Sequence, residues 1–102
     1  MAANTVDPEL DALKREFLTE AQEKVREIEG LLDGDSLDRV AYIAHQLKGS
    51  GGSYGYARIS AEAAEIEHAV ETSDHGSAHD RIRDHVSRLR EEIDRRSGEL
   101  SA

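Results

Sequence analysis

The sequence predicts an all-α protein, an antiparallel up-down four-helix bundle. Two observations carry that expectation. Apolar residues recur at three- and four-residue spacing in four successive segments, and no segment shows the alternation of a strand. The breaks between segments are short and polar or glycine-rich, which leaves consecutive helices no choice but to run antiparallel.

Asp7-Pro8-Glu9 supplies an N-cap, a proline at the first helical position and a first-turn acid, a strong helix start. Leu10, Leu13, Phe17, Ala21, Val25, Ile28 and Leu32 then mark one apolar stripe, which Asp33-Gly34 ends. Asp35, with Asp38 three residues on, reads as the cap of a second helix carrying Leu37, Val40, Ala44 and Leu47 inward. A third helix carries Ile59, Ala63, Ile66 and Val70 and stops within residues 72–76. Ser77 with Asp80 resembles a capping box and opens the last helix, whose inner face is Ala78, Ile82, Val86, Leu89 and Ile93. The bundle is expected over residues 7–96, with flexible tails at 1–6 and 97–102.

Composition narrows the function. With 102 residues there is room for one domain, and with 4% aromatics its core must be built mainly from Leu, Ile, Val and Ala. The net charge of −9 repels phosphate backbones and anionic membranes alike, so neither nucleic acid nor a membrane is expected as a partner. The absence of cysteine excludes disulfides, thiolate catalysis and sulfur-ligated metals. Residues 1–6 hold no basic or apolar run, and a soluble cytoplasmic protein, most simply a monomer, is the expectation.

The segment AHQLKGSGGSYG, residues 44–55, departs from this pattern. A phosphate-cradling loop would need the lysine after its last glycine and a strand before it, and Lys48 precedes Gly49 with no strand upstream. A plain loop is the reading that helix propensity favours, because Gly49, Gly51 and Gly52 in a helix would cost about 3 kcal/mol relative to alanine. Projected at helical pitch, however, Leu37, Val40, Ala44, Leu47, Gly51 and Tyr54 continue one core stripe through the glycines. His45 then points to solvent, with Ala41, Gly49 and Gly52 at i−4, i+4 and i+7 and Lys48 at its shoulder. A histidine ringed by missing side chains suits a surface that another protein must approach closely.

These residues resemble the signature of histidine-containing phosphotransfer (HPt) domains: a histidine, lysine-glycine three and four residues on, small residues, and a glycine ten residues after the histidine. His45, Lys48, Gly49, Ser50 and Gly55 fall into place, Gly55 as the helix-end glycine. The resemblance implies a phosphoryl carrier in a multistep two-component phosphorelay, taking the group on Nε2 of His45 from one receiver-domain aspartate or a histidine kinase, hybrid or separate, and passing it to another receiver. It implies Lys48 as the cation neutralising phosphoryl oxygens, and Glu67, in the third helix, as the group orienting the imidazole through Nδ1. Ala41, Tyr42, Gly49 and Gly52 become clearance and docking positions for the partner. No cofactor is expected on this chain; magnesium belongs to the receiver, and neither an ATP site nor autonomous catalysis is implied.

The glutamate at position 67 and the string KGSGGSYGY are also similar to the N-terminal phosphotransfer domain of chemotaxis-type histidine kinases. That group usually has a second histidine three residues before the glutamate, where this chain has Ala64. Two alternatives therefore stand beside the relay carrier: a domain phosphorylated directly by an ATP-bound kinase, and a receiver-binding module that is never phosphorylated. Elsewhere, His75 and His79 have i, i+4 spacing, but Gly76 lies between them and no carboxylate completes a metal site. His68 and His85 read as surface or boundary residues, and Asp84/Arg88, Glu91/Arg95 and Glu92/Arg96 as ordinary surface pairs.

Overall fold

A computed structural model describes residues 7–34, 36–72 and 77–101, with Ser77, Ala78 and Ser101 by backbone alone. Four helices account for nearly all of them: α1 (Pro8–Leu31), α2 (Leu37–Ser53), α3 (Ala57–Glu71) and α4 (Ser77–Ser101). They pack in ring order, α4 closing back onto α1. Cross-helix pairs set the directions. Arg15 meets Leu100, Gln22 meets Asp94 and Arg90 meets Glu29, so numbers rise along α1 as they fall along α4. Glu27 with Arg39 and Phe17 with Tyr54 run the same way for α1–α2, as do His45 with Glu67 and Lys48 with Ser60 for α2–α3.

The core is mainly aliphatic, with Phe17 joining it at one end. Leu18, Val25, Ile28, Val40, Ile43, Leu47, Ile59, Ile66, Ile82, Leu89 and Ile93 are almost fully withdrawn from water. Each buried side chain of this size contributes about 1.5–3 kcal/mol before conformational entropy is subtracted. Asp7 caps α1 as expected, its Oδ1 accepting from the backbone amides of Glu9 and Leu10 at 3.0 and 3.3 Å. For α2 the N-cap is Ser36, which makes no side-chain cap bond, and Asp35 lies outside the described residues. Ser77 is the first described residue of α4, so any capping box there also falls outside them.

Four expectations need correction. Leu10 and Leu13 are exposed, not core, although they continue the stripe. The last turn of α4 meets α1 at Arg15, so among the described residues the turns of α1 before it have no helix opposite. Ala69 is buried in α3 while Val70 is only partly so, a small rotation of the buried face. Residues 97–101 are no free tail: α4 continues through Ser101, and Leu100 packs against the core. Glu92 is no surface residue either. It is 2% exposed, flanked by Arg96 at 2.8 Å and Arg95 at 3.1 Å, and Arg95 is thereby drawn to Glu92 rather than to Glu91.

The turn between α2 and α3 holds the critical helix in place. Gly55 takes φ +82°, the amide of Tyr56 bonds the carbonyl of Gly51 at 2.8 Å, and that of Gly55 bonds Gly52 at 3.1 Å. This is a Schellman close, in which a left-handed residue satisfies the last free carbonyls. Phe17 stacks on Tyr54 and Tyr56, with centroids 5.2 and 5.9 Å away, and pins the turn to α1. Gly55→Ala is expected to cost about 1–2 kcal/mol, because a β-carbon disfavours the left-handed region. Urea denaturation would measure it, and an unchanged midpoint would contradict that account.

Candidate functional site

The glycine-rich stretch is helical throughout: α2 runs unbroken to Ser53. The propensity penalty is met because Gly51 belongs to the core and the aromatic turn holds the helix end. Within this run the glycines serve different ends. A β-carbon on Gly51 would stand 3.2 Å from Ile59 Cγ2 and 3.3 Å from the Ser60 amide, so this glycine lets α2 and α3 approach. A β-carbon on Gly49 would meet nothing within 4 Å, and one on Gly52 only Ser60 Oγ at 3.7 Å. Packing therefore favours a glycine at 51, where a β-carbon would be tight, and gives no reason for one at 49 or at 52. The Ser60 hydroxyl reinforces the approach, donating to the Lys48 carbonyl at 2.8 Å.

The close approach brings α3 within reach of α2's outward edge. His45 is 63% exposed in its side chain, and its Nδ1 lies 2.9 Å from Glu67 Oε2. The other oxygen of the same carboxylate, Oε1, accepts from Lys48 Nζ at 2.9 Å. One carboxylate thus spans two α2 side chains a helical turn apart. Lys48 does not stand free beside the ring; Glu67 holds its ammonium. Ala41 is half-buried on the same helix, whereas Tyr42, Gly49 and Gly52 are exposed.

The electrostatics follow from these contacts. The hydrogen bond from Lys48 is the largest influence on Glu67 and lowers its carboxyl below the ordinary 4.5, with a smaller contribution from His45, while burial opposes both. The group is therefore ionised at neutral pH and can only accept hydrogen bonds. A neutral His45 must then carry its proton on Nδ1, which leaves the Nε2 lone pair available. Because the folded-state value lies below the unfolded one, the stability Glu67 contributes is complete above about 4.5 and is lost as pH falls through the depressed value. In an NMR titration the Glu67 carboxyl carbon should show a midpoint below that of an ordinary glutamate, and Lys48→Met should move it up. A wild-type midpoint at or above 4.5 would contradict this arrangement.

Other sequence candidates fall elsewhere. His68 is exposed on α3, His79 is half-buried on α4, and His75 lies outside the described residues. Among the described residues no three metal-ligating side chains gather into a group that could hold an ion, and no helix is long and apolar enough to cross a membrane. A second histidine–carboxylate pair joins α3 to α4: His85 Nδ1 lies 2.7 Å from Glu62 Oε1, both largely buried. Spacing along the chain gave no signal of that contact, nor of the Ser60 bond, since each depends on two helices meeting.

An all-helical bundle that presents one oriented imidazole to solvent is the arrangement of a histidine-based group carrier. A family model described as the Hpt domain matches residues 12–98, most of the bundle, and the chain belongs to that family. Histidine phosphotransfer in phosphorelays, through receiver domains and histidine kinases, is the work of such domains. Comparison with curated proteins and with solved structures returned no match.

Proposed function

We propose that His45 carries a phosphoryl group between receiver-domain aspartates in a multistep relay, working as a cytoplasmic monomer. The observation behind this is the carboxylate-held Nδ1, which leaves Nε2 as the nucleophile, with the small residues Ala41, Gly49 and Gly52 at i−4, i+4 and i+7. The Nε2 lone pair attacks phosphorus, the N–P bond forms, and the P–O bond to the donor aspartate breaks with its electron pair leaving on the carboxylate. No proton has to depart, because Nε2 bears none. The ring becomes cationic, and Glu67 beside Nδ1–H stabilises that charge. Lys48 keeps two N–H groups beyond the one given to Glu67, and these serve the phosphoryl oxygens from one turn away. Magnesium is assigned to the partner receiver.

Incubation with a phosphorylated receiver should label the protein with an acid-labile, base-stable phosphate. Stoichiometric binding without any uptake would replace the carrier with a docking module. One feature favours a second reading: a glutamate at 67, which here accepts from Lys48 and pairs with His45, is the residue type that the resemblance to kinase-linked phosphoacceptor domains rests on. Labelling by an ATP-bound histidine kinase with no receiver present would favour that reading.

A further inference from the structure

Tyr42 is a large ring left 54% exposed three positions before His45. It is nevertheless tied down on two sides. Gln46 Nε2 donates to its hydroxyl at 3.2 Å, and the Arg39 guanidinium lies over the ring, 5.6 Å from the centroid. Arg39 is itself fixed from α1, its Nε and Nη2 both donating to Glu27 Oε2 at 3.2 and 3.1 Å. None of these groups reaches the core. Arg39 and Glu27 are about half-exposed, and ion pairs of that kind contribute little to stability. What the network does accomplish is to hold an exposed aromatic ring in one orientation, which reduces the ordering cost of docking on it.

Position decides what docks. Residues three apart on a helix lie about 5–6 Å from one another, so any protein that brings a phosphoryl group onto His45 Nε2 also covers Tyr42. On the other side of the imidazole, the Lys48–Glu67 bridge occupies the edge toward α3. Toward α1 the surface continues into an open groove lined by Lys24, Gln46, Gly49 and Ser50. Tyr42 therefore stands at the edge of the phosphotransfer site, on the flank that α1 braces.

We infer that Tyr42 is the pre-set anchor on which a receiver domain seats before transfer, and that Arg39 and Glu27 are positioning residues acting through it. The inference rests on the carrier reading above. The matching receiver surface is an apolar recess beside its phosphorylated aspartate, wide enough for a phenol ring. Buried tyrosine anchors dominate interfaces of this kind, whereas rim charges do not.

The test is transfer from a phosphorylated receiver at varied concentration, with helicity checked by circular dichroism. Tyr42→Ala should raise the apparent KM about ten-fold while the saturated rate changes less than about two-fold. Arg39→Ala and Glu27→Gln should each raise it about three-fold, and Tyr42→Phe, which keeps the ring under Arg39, should restore near wild-type KM. Adding Arg39→Ala to Tyr42→Ala should change nothing further. If KM is unchanged in Tyr42→Ala, the anchor is refuted. If Arg39→Ala still costs its full factor without the ring, its positioning role is refuted. If the wild type accepts no phosphoryl group from any receiver, the carrier reading falls first and this inference with it.

Discussion

His45→Gln should take up no phosphoryl group from any phosphorylated receiver, while its unfolding free energy from urea denaturation stays within about 0.5 kcal/mol of wild type. Glutamine keeps a polar side chain of similar reach but has no nitrogen lone pair to attack phosphorus. The fold should tolerate the change because the imidazole is 63% exposed and Glu67 retains its bond from Lys48. The measurement is transfer from labelled receiver followed by acid and base treatment of the product. Base-stable label persisting on His45→Gln would move the reactive group elsewhere and sink the assignment. The largely buried His85, the only other histidine the structure shows paired with a carboxylate among the described residues, is the first place to look in that event.

The second large effect separates two neighbouring glycines. Gly51→Val should destabilise the protein by roughly 2 kcal/mol, since its branches would extend a β-carbon already 3.2 Å from Ile59 and 3.3 Å from the Ser60 amide. For a domain this size that is a fall in Tm of roughly 10 °C. The helices would also be pushed apart where Glu67 must reach His45, so transfer should suffer along with stability. Gly49→Gln should behave oppositely. A β-carbon there enters open space, and replacing a helical glycine gains up to about 1 kcal/mol. Transfer should nonetheless slow by roughly 10–100-fold, because the side chain stands one turn from the imidazole and obstructs a close reactive approach. Unchanged kinetics in Gly49→Gln would contradict the clearance argument, and unchanged stability in Gly51→Val would contradict the packing argument.

The helices and the direction of His45 were legible because both follow from local periodicity. Once Val40, Ala44 and Leu47 face inward, a residue at 45 has to face out, and the structure agrees. Glu67 was legible only through family resemblance; nothing in its own neighbourhood along the chain marks it among the many glutamates of α3. Periodicity set Gly51 on the core stripe, apart from Gly49 and Gly52 beside His45, but it gave no sign that a β-carbon at 51 would be crowded. Their difference lies in whether Ile59 stands opposite, and that is a property of α3.

The amino-acid order by itself determined four amphipathic helices, their breaks, and a histidine projecting from small neighbours, because a 3.6-residue repeat is read within a single helix. Tertiary structure decided the rest: that Leu10 and Leu13 stay exposed, that Glu92 is buried, and that one carboxylate grips both His45 and Lys48. It also decided that α1 reaches Tyr42 through Glu27 and Arg39. The physical reason is common to all of these. Periodicity says which way a side chain leaves its own helix, but the length and register of the neighbouring helix settle what it meets.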